Sequence, residues 1–188
     1  MENRRNFIKK TSLLSLGMVS YGFNLPIIKT IGGVDISVIT YSFQAGTEDM
    51  ENIIQYCLDS NSDNIELMGN HVERSIGMPR SRRDSADWRA NVSMKEFKKV
   101  KKEFEQKGIN IFAYKPYCMS PRNKDEEIEY AMKATKALGA DYVTAELTDE
   151  SNTKRISYYA EKHDVKVGYH GHLQSTDIAW NFALDNSK

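Results

Sequence analysis

Residues 165–172 read Val-Lys-Val-Gly-Tyr-His-Gly-His, an alternating segment that ends in two imidazoles separated by one glycine. Residues i and i+2 of a strand share a face, so Lys166, Gly168, His170 and His172 form one row and Val165, Val167 and Tyr169 the other. An apolar back with imidazoles at the tip suits a strand of a parallel α/β structure whose C-terminal mouth carries metal or proton-transfer chemistry. The plainer reading makes one histidine a loop cap and leaves the other in solvent. It is the pairing of the two at a strand end that favours a site.

Upstream of this strand the chain alternates strand-like and helix-like segments. Ser151 to Lys162 has helical spacing, and Ala140 to Leu147 reads as a strand with Tyr142, Thr144 and Glu146 in one row. Its other row, Val143, Ala145 and Leu147, is the one that packs on helices. Further back, Asp125 to Leu138 predicts a helix stopped by Gly139, and Ile109 to Lys115 a strand. Ser93 to Lys107 predicts a helix opened by a Ser93/Glu96 capping box, and Asn64 to Met68 a short strand. Met50 to Leu58 carries Ile53, Ile54 and Cys57 at helical spacing, after a first strand from Val34 to Ser42. Downstream, Thr176 is placed to cap a last helix with Ile178, Trp180 and Ala183 on its buried side.

Alternating units of this kind imply parallel strands with right-handed crossovers, either an open doubly wound sheet or a (β/α)8 barrel. No Gly-x-Gly-x-x-Gly follows the first strand, and the strands end in Glu66, Lys115, Glu146, and His170 with His172. The expected fold is therefore α/β, a partial (β/α)8 TIM barrel with about five βα units. A carboxylate such as Glu146 pointing into a barrel is costly unless paired or bound to a cation, which marks it for function or for a salt bridge to Lys115.

Composition narrows the partners. The 188 residues are 40% hydrophobic, enough for a real core, and 26 basic residues balance 26 acidic ones, which argues against a nucleic-acid partner. Arg80, Arg82 and Arg83 are the densest basic patch; with Asp84 and Asp87 following, they read as a solvated loop, the alternative being contact with an anion. Cys57 and Cys118 are the two cysteines, with no zinc-type spacing. Asn70 to Val92 reads as a long polar loop containing His71 and Trp88, placed to cover the mouth, with Trp88 either stacking on a sugar or packing the loop. His163 reads as a partner for a helix C-terminus.

The first thirty residues differ from the rest. Asn3-Arg-Arg-Asn-Phe-Ile-Lys-Lys10 precedes the apolar run Thr11 to Phe23 and closely resembles a twin-arginine export signal. Residues 1–30 are thus expected to be a leader and 31–188 the N-terminal part of the barrel. The expected location is periplasmic, or at a membrane through an uncleaved leader, with no stable span in the mature chain.

Ile65-Glu-Leu-Met-Gly69, Ile109-Asn-Ile-Phe-Ala-Tyr-Lys-Pro116, the Leu138-Gly-Ala-Asp-Tyr-Val-Thr-Ala-Glu-Leu147 strand and Lys166-Val-Gly-Tyr-His-Gly-His172 together resemble the sugar phosphate isomerase/epimerase group of xylose isomerase-like TIM barrels. The resemblance implies a divalent cation (Mn²⁺, Mg²⁺, Co²⁺ or Zn²⁺) at the C-terminal mouth. It matches His170 to a metal ligand and Glu146 to a ligand or base, while the residues' own positions add His172 as a second catalytic group and Glu66, Lys115 and Trp88 as contacts to a small sugar or sugar derivative. It also implies an enediolate: a cation stabilises the charge formed when a proton next to a carbonyl is removed, while a carboxylate shuttles that proton. The same intermediate serves a dehydratase or lyase acting on a keto-sugar or inosose, and a non-catalytic carbohydrate-binding barrel is a further alternative. A metal-dependent endonuclease of the same superfamily is disfavoured by the charge balance. The group's remaining ligands are expected after the fifth strand, and this chain ends at Lys188 before any of them. The 188-residue chain by itself is therefore expected to be inactive or nearly so, with edges that invite a completing chain or a homo-oligomer.

Overall fold

Two apolar rows meeting across a sheet and its helices account for the architecture of the computed structural model, which describes residues 30–43, 49–171 and 177–186. A small antiparallel hairpin, β1 (Thr30–Ile31) with β2 (Val34–Asp35), precedes the main sheet. That sheet holds five parallel strands in sequence order: β3 (Val38–Ile39), β4 (Asn64–Met68), β5 (Asn110–Lys115), β6 (Tyr142–Glu146) and β7 (Lys166–His170). Helices α1 (Met50–Asp59), α2 (Gly69–Ser75), α3 (Arg82–Asn91), α4 (Met94–Gln106), α5 (Asp125–Leu138), α6 (Glu150–His163) and α7 (Asp177–Asp185) fill the intervals. Neighbouring strands in chain order, parallel and each returned by a helix, are the winding of a (β/α) barrel wall.

One face of the sheet is dry. Ile65, Leu67, Ile111, Tyr114, Val143 and Ala145 pack there against Ile53 and Cys57 of α1, Phe97 and Phe104 of α4, Ile128, Met132 and Leu138 of α5 and Ile156 of α6. Each buried Val, Leu, Ile, Phe or Met side chain among them contributes about 1.5–3 kcal/mol. Helix starts are set by short polar caps: Asp49 accepts from the Glu51 amide at 2.9 Å, and Asp149 from the Asn152 amide at 2.9 Å. Helix α5 stops at Gly139, whose φ of 72° a side chain would oppose.

The structure departs from the sequence reading in four places. Val34 to Ser42 is not one strand: the chain turns at Gly32 and Gly33, pairs Val34–Asp35 backwards, gives only Val38–Ile39 to the main sheet and coils into a 3-10 turn at Thr40–Phe43. Asn70 to Val92 is not a polar loop but largely α2 and α3, because Val72, Met78 and Ser85 are buried and polar partners within the segment satisfy the rest. Glu96 closes no capping box on Ser93; Ser93 caps the Lys95 amide and Glu96 turns to Lys99 at 2.9 Å. Trp180 lies on an exposed face of α7, 42% accessible. His172, Thr176 and all but the last residue of the expected leader lie outside the described residues. Among the described residues no helix is long and apolar enough to cross a membrane.

Candidate functional site at the C-terminal ends of β5, β6 and β7

The inner face of the sheet carries the polar row that the outer face excludes. Strand β5 reaches this arrangement through a bulge: Ile65 pairs with Ile111, but Glu66 pairs with Ala113, so Phe112 is an extra residue. In an unbroken strand Ile111 and Lys115, four apart, would share a face. The bulge separates them, sending Ile111 into the helical layer and Lys115 inward beside Met68.

Lys115 then meets two side chains from the next strands. Glu146 and His170 are register partners on β6 and β7, and His170 Nε2 stands 2.8 Å from Glu146 Oε1. The ammonium of Lys115 lies 3.0 Å from the same Oε1 and 3.1 Å from each ring nitrogen. An ammonium can only donate. Glu146 Oε1 therefore accepts from Lys115, with the imidazole of His170 beside both groups. The Lys115 side chain is 9% accessible, whereas those of Glu146 and His170 are 41% and 39% accessible. The cation is held at the base of the cluster, and the acid and imidazole face the opening.

Below this cluster, Thr144 Oγ1 donates a hydrogen bond to Glu66 Oε1, spanning the small Ala113 on the strand between them. Thr40 Oγ1 accepts from the Met68 amide at 3.0 Å and lies 3.1 Å from Nδ1 of the buried His71, tying the 3-10 turn to the end of β4. Gly69 has to be small: a Cβ there would lie 2.8 Å from Pro116 Cα and 3.0 Å from the Lys115 carbonyl.

Of the residues marked in the sequence, the structure brings together Lys115, Glu146 and His170. Glu66 is one layer deeper. Trp88 belongs to α3 and packs edge-on to Tyr130 at 6.4 Å, in the helical layer. His163 Nε2 meets Glu129 Oε1 at 2.9 Å, joining α6 to α5. The salt bridge weighed for Glu146 with Lys115 is present.

Sequence reading missed a second polar cluster. Arg89 clamps Glu73 with two bonds of 2.9 Å and reaches Glu127 Oε1 at 3.1 Å, while Tyr130 donates to Glu73 at 3.0 Å. Glu73 is fully buried. The available signal was its position among buried residues of a helix, hidden once the segment was read as a loop.

The donor chemistry bears on a cation. Glu146 and His170 converge as two ligands would, but an ammonium within 3.1 Å of both already supplies the positive charge at that point. No group of three or more His, Cys, Asp or Glu side chains poised for a metal occurs among the described residues.

Fold and site together define the class: an α/β chain forming part of a TIM-type barrel, with ionisable side chains at the C-terminal ends of its strands. No family model matches the chain, and no curated protein matches it in sequence. Solved structures do resemble it. An uncharacterised protein from Parabacteroides distasonis aligns with a TM-score of 0.56 at 16% identity, over 78% of this chain and 56% of that one. Deoxyribose phosphate aldolase from Aeropyrum pernix aligns with a TM-score of 0.52 at 18% identity, over 82% and 62%. A sugar phosphate isomerase/epimerase from Parabacteroides distasonis gives 0.51 at 16% identity, over 81% and 64%. At these identities the likeness shows the fold. The chain spans 56–64% of the length of these structures.

Proposed function

We propose that the Lys115–Glu146–His170 cluster moves a proton at a carbon next to the carbonyl of a sugar or sugar derivative, as an isomerase or epimerase. The observation that carries this reading is the convergence of a shielded ammonium, a carboxylate and an imidazole from three successive strands within 3.1 Å. Removing such a proton leaves negative charge on the carbonyl oxygen, and a preplaced cation of low accessibility stabilises that charge more than water does. Glu146 takes the proton from carbon and Lys115 donates hydrogen bonds to the developing oxyanion; the carboxylic acid then returns the proton to the neighbouring carbon as the enediol's hydroxyl proton passes between the two oxygens, or, in an epimerase, a proton returns to the opposite face of the same carbon. His170 keeps Glu146 oriented and can hold a substrate hydroxyl. A lyase reading shares every step up to the enediolate and then expels a β-substituent. The sugar-processing names among the similar folds support the substrate class, and the twin-arginine-like stretch supports an exported protein.

The test is carbon-bound proton exchange. Incubating ketoses and ketose phosphates with the protein in D₂O and following the α-proton by NMR is expected to show exchange that Glu146→Gln reduces by about 10²- to 10⁴-fold. Exchange that is equal in both proteins removes Glu146 from the role of base.

A further inference from the structure

Strand β7 is an open edge of the main sheet: among the described residues its only strand neighbour is β6. The His170 carbonyl accepts from the Leu147 amide at 3.0 Å, so it faces β6. Backbone groups alternate in direction along a strand, so Lys166, Gly168 and His170 turn theirs to β6 while Val167 and Tyr169 turn theirs outward. The side chains of Val167 and Tyr169 are only half-buried, where their register partners Val143 and Ala145 are 0% and 2% accessible. Helix α7 packs on α6 and leaves a groove of about 930 Å³ against the outer row of β7. Exposed Tyr158, Trp180 and Leu184 rim that groove. An open edge backed by apolar side chains is a template for another strand.

The sequence of β7 fits its own copy as that strand. Turned antiparallel about a two-fold axis through Gly168, Val167 of each copy lies opposite Tyr169 of the other, and the two exchange backbone hydrogen bonds in pairs. Gly168 then faces Gly168 where opposed Cα atoms approach to about 4.5 Å, and neither has a side chain to obstruct. On the outer face, a β-branched residue opposite an aromatic one is a favourable cross-strand pair. The inner face is complementary as well. Lys166, at the start of β7, sits 5.4 Å from the centroid of the Tyr142 ring and forms no ion pair among the described residues. At the other end Glu146 stands beside His170, with Glu66 one layer deeper, against the single ammonium of Lys115. An antiparallel turn sets the basic end of each strand against the acidic end of its copy, with Lys166 directly opposite His170.

We propose that two copies of this chain pair through β7, centred on Gly168, as a two-fold dimer with one continuous sheet, and that Lys166 of each copy reaches the other's Glu146–His170 pair. The pairing rests on strand geometry and stands whatever reaction the cluster performs. Its consequence is that each cluster is completed by an ammonium from the second copy.

Sedimentation velocity on the full chain, from micromolar to submillimolar concentration, is expected to show a reversible shift from the 21.5 kDa chain to twice that mass. Hydrogen exchange on the same samples needs no variant: the Val167 and Tyr169 amides are expected to slow about tenfold or more as the dimer forms, and the Gly168 amide, already turned to β6, to change less. Gly168→Glu and Gly168→Lys each set like charges against each other at the two-fold axis. A Cβ at Gly168 meets Thr144 Cγ2 at 3.4 Å, an ordinary contact, so the single chain accommodates them. Each variant alone is expected to dimerise about tenfold more weakly, and an equimolar mixture to recover the affinity as a heterodimer. Val167→Pro, whose lost amide faces off the sheet, is expected to be monomeric with the circular dichroism of wild type. A chain monomeric at every concentration, with both amides exchanging freely, overturns the pairing and leaves the edge to a strand of other sequence. A dimer that keeps its affinity in both charge variants, or in Val167→Pro, lies elsewhere on the surface and overturns it too. A mixture no tighter than either variant alone overturns the two-fold at Gly168.

Discussion

Lys115 and Glu146, 31 positions apart in the chain, bring Nζ and Oε1 to 3.0 Å of each other at the ends of adjacent strands. The pair has an unequal environment, with the amine shielded and the carboxylate open. A shielded cation beside a carboxylate whose side chain is 41% accessible divides the work of acid-base chemistry between them.

Lys115→Met keeps the length of the side chain and removes the charge. Proton exchange by this variant is expected to fall by about 10²-fold or more, the size of loss seen when an oxyanion donor is deleted. Because an ammonium holds the cation's place, wild-type exchange is expected to persist in EDTA. Exchange abolished by the chelator and restored by Mn²⁺ would move the positive charge from the amine to a metal.

Arg89→Met strands Glu73, which is fully buried, together with Glu127. Leaving a buried carboxylate uncompensated is expected to cost about 3–5 kcal/mol, read from the shift in urea midpoint at constant slope. A companion Arg89→Met/Glu73→Gln variant is expected to recover part of the loss, because the orphan charge is gone.

Gly69→Ala places a methyl against the backbone of Lys115 and Pro116, which has no flexible end to yield. Destabilisation of about 1–3 kcal/mol is expected, with a larger fractional loss of activity than of stability because the strand end that aims Lys115 is displaced. Stability equal to wild type in a thermal melt would show that the two segments separate at little cost.

Glu129 on α5 accepts from Lys162 and His163 at the end of α6, each at 2.9 Å, and from Lys133 at 3.4 Å. The Lys162 and His163 bonds, in that order, hold its carboxyl down from 4.5 to about 2. A depressed folded-state value means the contribution is complete above the unfolded pKa and fades as pH falls through about 2. Wild-type stability is therefore expected to drop across this acid window, and Glu129→Gln to show a shallower drop. The carboxylate is close to the surface, so salt is expected to narrow the difference between the two.

Much of the layout was legible because period-2 and period-3.6 patterns are strong in this chain. Asn64 to Met68 and Asp125 to Leu138 carry their boundaries in the sequence, the second through Gly139. Glu146 and His170 were legible because each ends a strand whose other row is plainly apolar. Lys115 was marked by its position at a strand end, but its orientation rests on the bulge at Phe112, and hydrophobic alternation does not announce an extra residue. Residues 70–92 were misread because their composition is polar while their polar groups pair with one another, as Glu73 does with Arg89. Helix α3 is held by that pairing and by contacts such as Trp88 with Tyr130, so its cause lies partly in another helix.

Phe112 gives β5 one residue of slack relative to β4. Its leading half keeps phase with the packing layer and its trailing half with the chemistry, so Ile111 and Lys115 are released from having to agree on a side. A chain lacking Phe112 would run as a plain ladder and still deliver the amine to the interior. This is one of the rare internal deletions that a parallel wall can absorb without turning itself inside out.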